Sequence, residues 1–330
     1  MTDSVPDFRE LVDIHDRQFQ KAAIDRRIYF VPVDEHEEDR LTLQHQMFFE
    51  LIGRKLFLPP VEYPMRILDC GAGFGNWACA MAEYFESSQV TAIDIYPAVL
   101  PESSDNLEQQ IWNLNDTLAG TYERDYYDLI HSRCVGPGIT RSRWRNYVRD
   151  LSRLLCRNGW LQVAEYYYNI QSDNGRLTEN HALHKWGTLY RGAQEALGRD
   201  PRAARNLKQQ LVGAGLHDVR EQVFRVPIGG WHPDSVMNYI GVHNVSNIDA
   251  MLDSHAIWPF THVNHLSATG AWTKEQVSWL TAAAKQEARD VSLKLYIELS
   301  VQYLIQFLGG LLTDLDILFG VAKGEAVIAS

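Results

Sequence analysis

The chain has 330 residues, 45% of them hydrophobic and 22% charged, the composition of an ordinary globular protein with room for one substantial core and a smaller cap. Its formal net charge of -11 argues against nucleic-acid or membrane-surface partners, which demand a basic face. No apolar run reaches the ~20 residues of a spanning helix, the opening "MTDSVPDFRE" has no signal core, and Cys70, Cys79, Cys134 and Cys156 show neither metal nor disulfide spacing, so a soluble cytoplasmic chain is expected, with the nucleus as the alternative.

Met65 to Leu68 reads as a buried strand, and Asn76 to Phe85 has the Trp/Ala/Met spacing of a helix. Between them Gly71, Gly73 and Gly75 form a strand-to-helix turn whose bare backbone admits a ligand at the open end of a parallel sheet. A dinucleotide site would read G-x-G-x-x-G, but here the third glycine comes one residue early and Asn76 takes its place, so the spacing leans away from NAD. Asp69 adds to this, because a carboxylate repels a pyrophosphate and attracts the ammonium group of a methionine moiety. Asp94 closes the next strand, "QVTAID" (89–94), where a carboxylate accepts ribose hydroxyls in NAD and S-adenosylmethionine sites alike. Structural aspartates at a tight turn would explain any one of these residues, but explain the whole set poorly.

Further strands are expected at "QQIWN" (109–113), "YDLIHS" (127–132), "GWLQVAEY" (159–166) and "HDVREQVFRV" (217–226). The alternating "LKLYIELSVQY" (293–303) completes a doubly wound sheet of seven strands. Arg141, Arg143, Arg145, Arg149, Arg153 and Arg157 fall at helical spacing and read as a solvated helix face. Two long connections, 170–216 and 227–292, are where a substrate pocket or lid would be built, and Thr273 with Gln276 resembles a capping box. From Leu304 to Phe319 an apolar helical face recurs; core packing is its default explanation and a homodimer interface the alternative.

The stretch "YFVPVDEHEEDRLTLQHQMFFELIGRKLFLPPV", the glycine turn, "YDLIHSR" and "RNGWLQVAEY" come in the order of one family's motifs. Over roughly residues 27 to 303 the chain resembles the fungal LaeA-like branch of class I S-adenosylmethionine-dependent methyltransferases. The resemblance implies an α/β, Rossmann-like sheet of seven strands with the last antiparallel. The chain is expected to divide into a helical N-terminal segment over the cofactor (1–60), a methyltransferase domain (61–303) with helical caps in the two long connections, and an apolar extension (304–330) that departs from the family, whose members generally stop soon after the last strand. Asp69, Gly71, Gly73 and Gly75 match the loop around the methionine part of S-adenosylmethionine, Asp94 the ribose carboxylate, and Asn115 with Asp116 the adenine-holding pair. Tyr29 and Gln44 match positions that close over the cofactor.

Methyl transfer is an in-line attack on the carbon attached to a positive sulfur, so a base is needed only where the acceptor loses a proton of high pKa. His131, ending the fourth strand, is the first candidate for that base, with a structural hydrogen bond as the competing role. His184, three residues from His181 on a lid helix, is the second, and His262 and His265 are weaker. No metal set is evident. Trp186, Tyr190, Trp231, Trp258 and Phe260 are available to line an aromatic acceptor pocket or to fill the core. The leading expectation is methylation of a hydroxyl, carboxyl or amine on a fungal secondary metabolite. The alternatives are a regulatory protein of secondary metabolism and a methyltransferase fold recruited for a non-methylating reaction such as cyclisation.

Overall fold

The computed structural model describes residues 7–100, 105–264 and 270–305. The apolar tail after Ile305 and His265 lie outside the described residues. The chain opens with an antiparallel hairpin of β1 (Leu11–Ile14) and β2 (Arg17–Gln20), so the N-terminal segment expected to be helical begins with strands. His15 and Asp16, both at positive φ, make its two-residue turn, the conformation that matches strand twist. The short α1 (Lys21–Asp25) precedes α2 (Glu35–Leu51). Asp34 caps α2 by accepting from the Glu37 backbone N–H, and its carboxylate also pairs with Arg17 at 2.6 Å, fastening the hairpin to the helix.

The alternating α/β core follows: β3 (Arg66–Cys70), α3 (Asn76–Tyr84), β4 (Gln89–Asp94), β5 (Leu107–Ile111), β6 (Tyr127–Arg133), α4 (Trp144–Leu154) and β7 (Leu155–Ser172). Next come α5 (Ala182–Ala196), α6 (Ala203–Gly213), β8 (Arg220–Ile228), α7 (Ser235–Ser254), α8 (Ile257–His262), α9 (Lys274–Ala288) and β9 (Leu295–Ile305). Seven strands form one sheet in the order β5-β4-β3-β6-β7-β9-β8. All neighbours from β5 to β7 are parallel, and β9 runs antiparallel between β7 and β8. This is the class I Rossmann-like methyltransferase fold. Its strand order reverses at β3, with β4 on one side and β6 on the other, which opens a crevice at the strands' carboxyl ends.

Strand positions agree with the sequence pattern to within a few residues, except β7, which runs well past 159–166 at both ends. The alternation of β9 buries Leu295, Ile297, Leu299 and Val301. On α4, Trp144, Tyr147, Val148, Leu151 and Leu154 face inward while Arg145 and Arg153 are exposed. Arg143 departs from that solvated face: it pairs with the buried Asp150 at 2.6 Å and donates to the Leu114 and Asp116 carbonyls. Thr273 and Gln276 do form the capping box at the start of α9. Helices α5, α7, α8 and α9 share one apolar core with α2 and the β7/β9/β8 end of the sheet, through Phe48, Trp186, Ile248, Leu280 and Leu299 among others. The connections thus form a helical layer beside the crevice.

Candidate active site

The glycine turn shapes the crevice floor. Gly71, Gly73 and Gly75 all have positive φ, at 75°, 57° and 81°. A Cβ at Gly71 would lie 2.3 Å from Val135 Cγ1 and one at Gly75 2.4 Å from Leu100 Cδ2, so both positions exclude a side chain by contact as well as by φ. At Gly73 the nearest atom, Leu41 Cδ1, would be 3.7 Å away, leaving bare backbone on the cavity wall. The Gly73 N–H donates to Asp94 Oδ2 and the Tyr96 N–H to Oδ1, both at 2.9 Å, which fixes the carboxylate at the end of β4. Burial raises the Asp94 pKa, and those two backbone donors work against the rise.

Pairing of β3 with β6 sets Asp69 opposite His131. His131 Nδ1 lies 2.8 Å from Asp69 Oδ1, and both residues are almost wholly buried. The imidazole stacks on Trp77, with ring centroids 3.9 Å apart and planes 11° from parallel. Burial lowers the His131 pKa and Asp69 opposes the fall, so the neutral ring donates its Nδ1 proton to Asp69 and keeps Nε2 as an acceptor. His131 lines the same cavity as the glycine turn and Asp94.

Residues 28–44 form the opposite wall, where Tyr29, Glu37, Leu41 and Gln44 line the cavity. Arg40, behind them, donates to Glu37 Oε1 at 2.6 Å and, from Nη1, to Gln44 Oε1 and Asn247 Oδ1, which ties α2 to α7. Burial works against the Arg40 charge, but the Glu37 carboxylate outweighs it and raises the pKa. Burial also lifts the Tyr29 pKa, so its hydroxyl stays protonated. Glu37 and Trp112 line the same cavity, and their buried Oε2 and Nε1 atoms have no hydrogen-bond partner among the described residues. Orphaned buried polar atoms are costly. One needs a donor and the other an acceptor, and a nucleoside carrying an amino-acid group supplies both: ammonium and hydroxyl protons, and the ring nitrogens of a base.

Of the residues named from sequence, Tyr29, Gln44, Asp69, Gly71, Gly73, Asp94, Asn115 and His131 line the cavity, whereas Gly75, the α3 N-cap, is not among the lining residues. Asn115 is committed elsewhere: its Nδ2 donates to the Gly138 carbonyl and its Oδ1 accepts from the Thr140 N–H, which pins the loop after β6. Asp116 is not among the lining residues. His184 is exposed on α5 away from the cavity, and His181 is occupied with Thr178. His262 stacks on Trp258. Trp186, Tyr190, Trp258 and Phe260 are buried in the core, and Trp231 donates to the Leu295 carbonyl, so none of these five lines the cavity. Glu37 and Trp112 were missed. Glu37 belongs to the acidic run of the quoted N-terminal motif, but it also sits in an acidic first helical turn, where charge is ordinarily solvated, so nothing singles it out from its acidic neighbours.

A parallel sheet reversing at β3, a glycine turn and a carboxylate at the end of β4 define a nucleoside-cofactor enzyme of the Rossmann-like class. The family model described as "Methyltransferase domain" matches residues 43–221, more than half of the chain, and the chain belongs to that family. It is similar to the protein-methionine methyltransferase laeA of Emericella nidulans, 24% identical over 82% of this chain and 70% of that one. It is also similar to methyltransferase pytC of Aspergillus terreus, 26% identical over 79% of this chain and 78% of that one. A solved structure, Haemonchus contortus phosphoethanolamine N-methyltransferase 2 with S-adenosylhomocysteine, aligns at TM-score 0.48 and 13% identity over 80% of this chain and 52% of that one. The chain is a LaeA-like, S-adenosylmethionine-dependent methyltransferase. Among the described residues no helix is long and apolar enough to cross a membrane.

Proposed function

We propose that the enzyme methylates a small molecule carrying an acidic hydroxyl, with the cofactor in the cavity between the glycine turn and α2. The observation that carries this reading is the buried Asp69–His131 pair on the cavity wall. A neutral imidazole, oriented by a carboxylate, is suited to take a proton from an acceptor hydroxyl as the new bond forms. S-adenosylmethionine, when bound, supplies an electrophilic methyl group on a positive sulfur. Gly71 and Gly73 offer it bare backbone, Asp94 accepts from the ribose hydroxyls, Glu37 Oε2 takes a donor, and Trp112 Nε1 donates toward the base. Tyr29 and Gln44 cover it, and α2 with its Arg40 tie to α7 keeps water out.

Isothermal titration with S-adenosylmethionine and S-adenosylhomocysteine, on wild type and Asp94→Ala, tests the site. Micromolar binding of both, weakened at least about 10-fold in the variant, is expected, since a buried charged hydrogen bond contributes ~1.5–3 kcal/mol. Equal affinity of wild type and variant would sink the assignment. The second reading, a protein thioether as acceptor, takes its support from the name of the laeA relative. Such an acceptor has no proton to lose, so it leaves the His131 base without work.

A further inference from the structure

Among the described residues, several arginines drawn in from the surface are neutralised or fully engaged, and Arg133 is neither. Arg40 pairs with Glu37 and Arg143 with Asp150, each at 2.6 Å. Arg199 donates to the carbonyls of Pro137, Leu197, Arg27 and Ile28. Arg133, at the end of β6, has no carboxylate within ion-pair distance among the described residues, although it lines the cavity and is largely removed from solvent. Its hydrogen bond goes from Nη2 to His45 Nδ1 at 3.3 Å, and its guanidinium lies 5.0 Å from the centre of the Phe48 ring. Burial and the neighbouring Arg133 push the His45 pKa down to about 3, so the imidazole is neutral and offers a lone pair but no charge. Asp69, the acid whose field reaches Arg133, is already bonded to His131.

A guanidinium held this way lines the cavity with N–H groups that no protein group among the described residues accepts and a charge that no acid pairs. We propose that Arg133 binds a carboxylate in the cavity, brought by the amino-acid part of the cofactor or by the methyl acceptor. The planar fork matches a carboxylate edge, with Phe48 supporting its face. A single negative charge suits the place, because Asp69, Glu37 and Asp94 line the same cavity and would repel a phosphate dianion. The proposal rests on reading this cavity as the cofactor site.

Titration calorimetry of wild type and Arg133→Gln separates the sources. The probes are S-adenosylhomocysteine, decarboxylated S-adenosylmethionine, methylthioadenosine, and benzoate added to the S-adenosylhomocysteine complex. If the cofactor brings the carboxylate, the variant loses about 10- to 100-fold for S-adenosylhomocysteine and keeps its affinity for the two probes lacking a carboxylate. If the acceptor brings it, S-adenosylhomocysteine binds both proteins alike and benzoate binds only the wild-type complex. Matching affinities for every probe overturn the proposal, as does an equal loss for S-adenosylhomocysteine, decarboxylated cofactor and methylthioadenosine, which would make Arg133 a packing residue. Wild type that binds neither S-adenosylhomocysteine nor methylthioadenosine removes the cofactor reading itself, and the proposal with it. Arg133→Lys, which keeps the charge and loses the fork, reads the same arms with a loss of a few-fold should the glutamine variant fail to fold.

Discussion

Gly73→Ala separates folding from cofactor binding more cleanly than either neighbouring glycine. The backbone at Gly73 has φ of 57°, inside the left-handed region that costs an alanine ~1–2 kcal/mol. Loss of glycine's unfolded-state freedom returns ~0.4–1 kcal/mol, leaving a net destabilisation of about 1 kcal/mol. No contact adds to it, because the new methyl would sit 3.7 Å from Leu41 Cδ1, an ordinary van der Waals distance. A fall in Tm of about 4 °C or less is therefore expected. The methyl nevertheless enters the space where the ligand meets bare backbone, and overpacking of that kind costs ~1–3 kcal/mol, or roughly 5- to 150-fold in affinity for S-adenosylhomocysteine. Thermal melting and titration calorimetry on one preparation read both numbers. Unchanged affinity would refute the placement of Gly73 at the ligand face, and a melting loss far beyond a few degrees would refute the strain argument. Gly71→Ala and Gly75→Ala, whose methyls would overlap Val135 and Leu100, are expected to damage the fold itself.

Trp112→Phe removes the orphaned indole N–H and keeps most of the ring: stability without ligand should hold or rise by up to about 1 kcal/mol, while affinity for S-adenosylhomocysteine drops several-fold. A drop in both, read by melting and calorimetry, would mean that the ring, not its N–H, matters. His131→Gln should lower kcat toward a hydroxyl acceptor about 100-fold or more and change cofactor affinity little, whereas transfer to a methionine peptide should keep its rate. Because the His131 pKa is lowered, wild-type kcat with a hydroxyl acceptor should also persist below pH 6.5, and an acid limb above that value would contradict the neutral pair. Glu165 accepts the Val135 and Gly136 N–H groups, and burial pushes its pKa up to about 8, with those donors opposing. A folded pKa above the unfolded value makes its contribution complete below about pH 4.5 and lost as pH rises through about 8. Urea unfolding across that window should fall more steeply for wild type than for Glu165→Gln; parallel curves would contradict the shift.

Much of the sheet was legible because a strand buried on both faces is written in consecutive apolar residues, and the glycine turn because its positive φ values permit little else. The capping box of α9 was legible for the same local reason, two side chains and two backbone groups within one turn. Tertiary pairing decided the rest. Asp69 and His131 lie 62 residues apart and meet only through the register of β3 with β6. Aromatic residues on α5 and α8 carry no mark that tells a pocket wall from a core, and Trp186 and Phe260 went to the core because α9 and the sheet cover them. Asn115 looked free for adenine until the loop after β6 claimed both ends of its amide. Glu37 and Arg133 show the limit most sharply. Each is one charge among many in the chain, and only the packing of α2 against β6 and α7 leaves, among the described residues, one with an unpartnered oxygen and the other without a paired carboxylate, since solvation and Coulomb energy depend on which groups share a buried space and not on their order along the backbone.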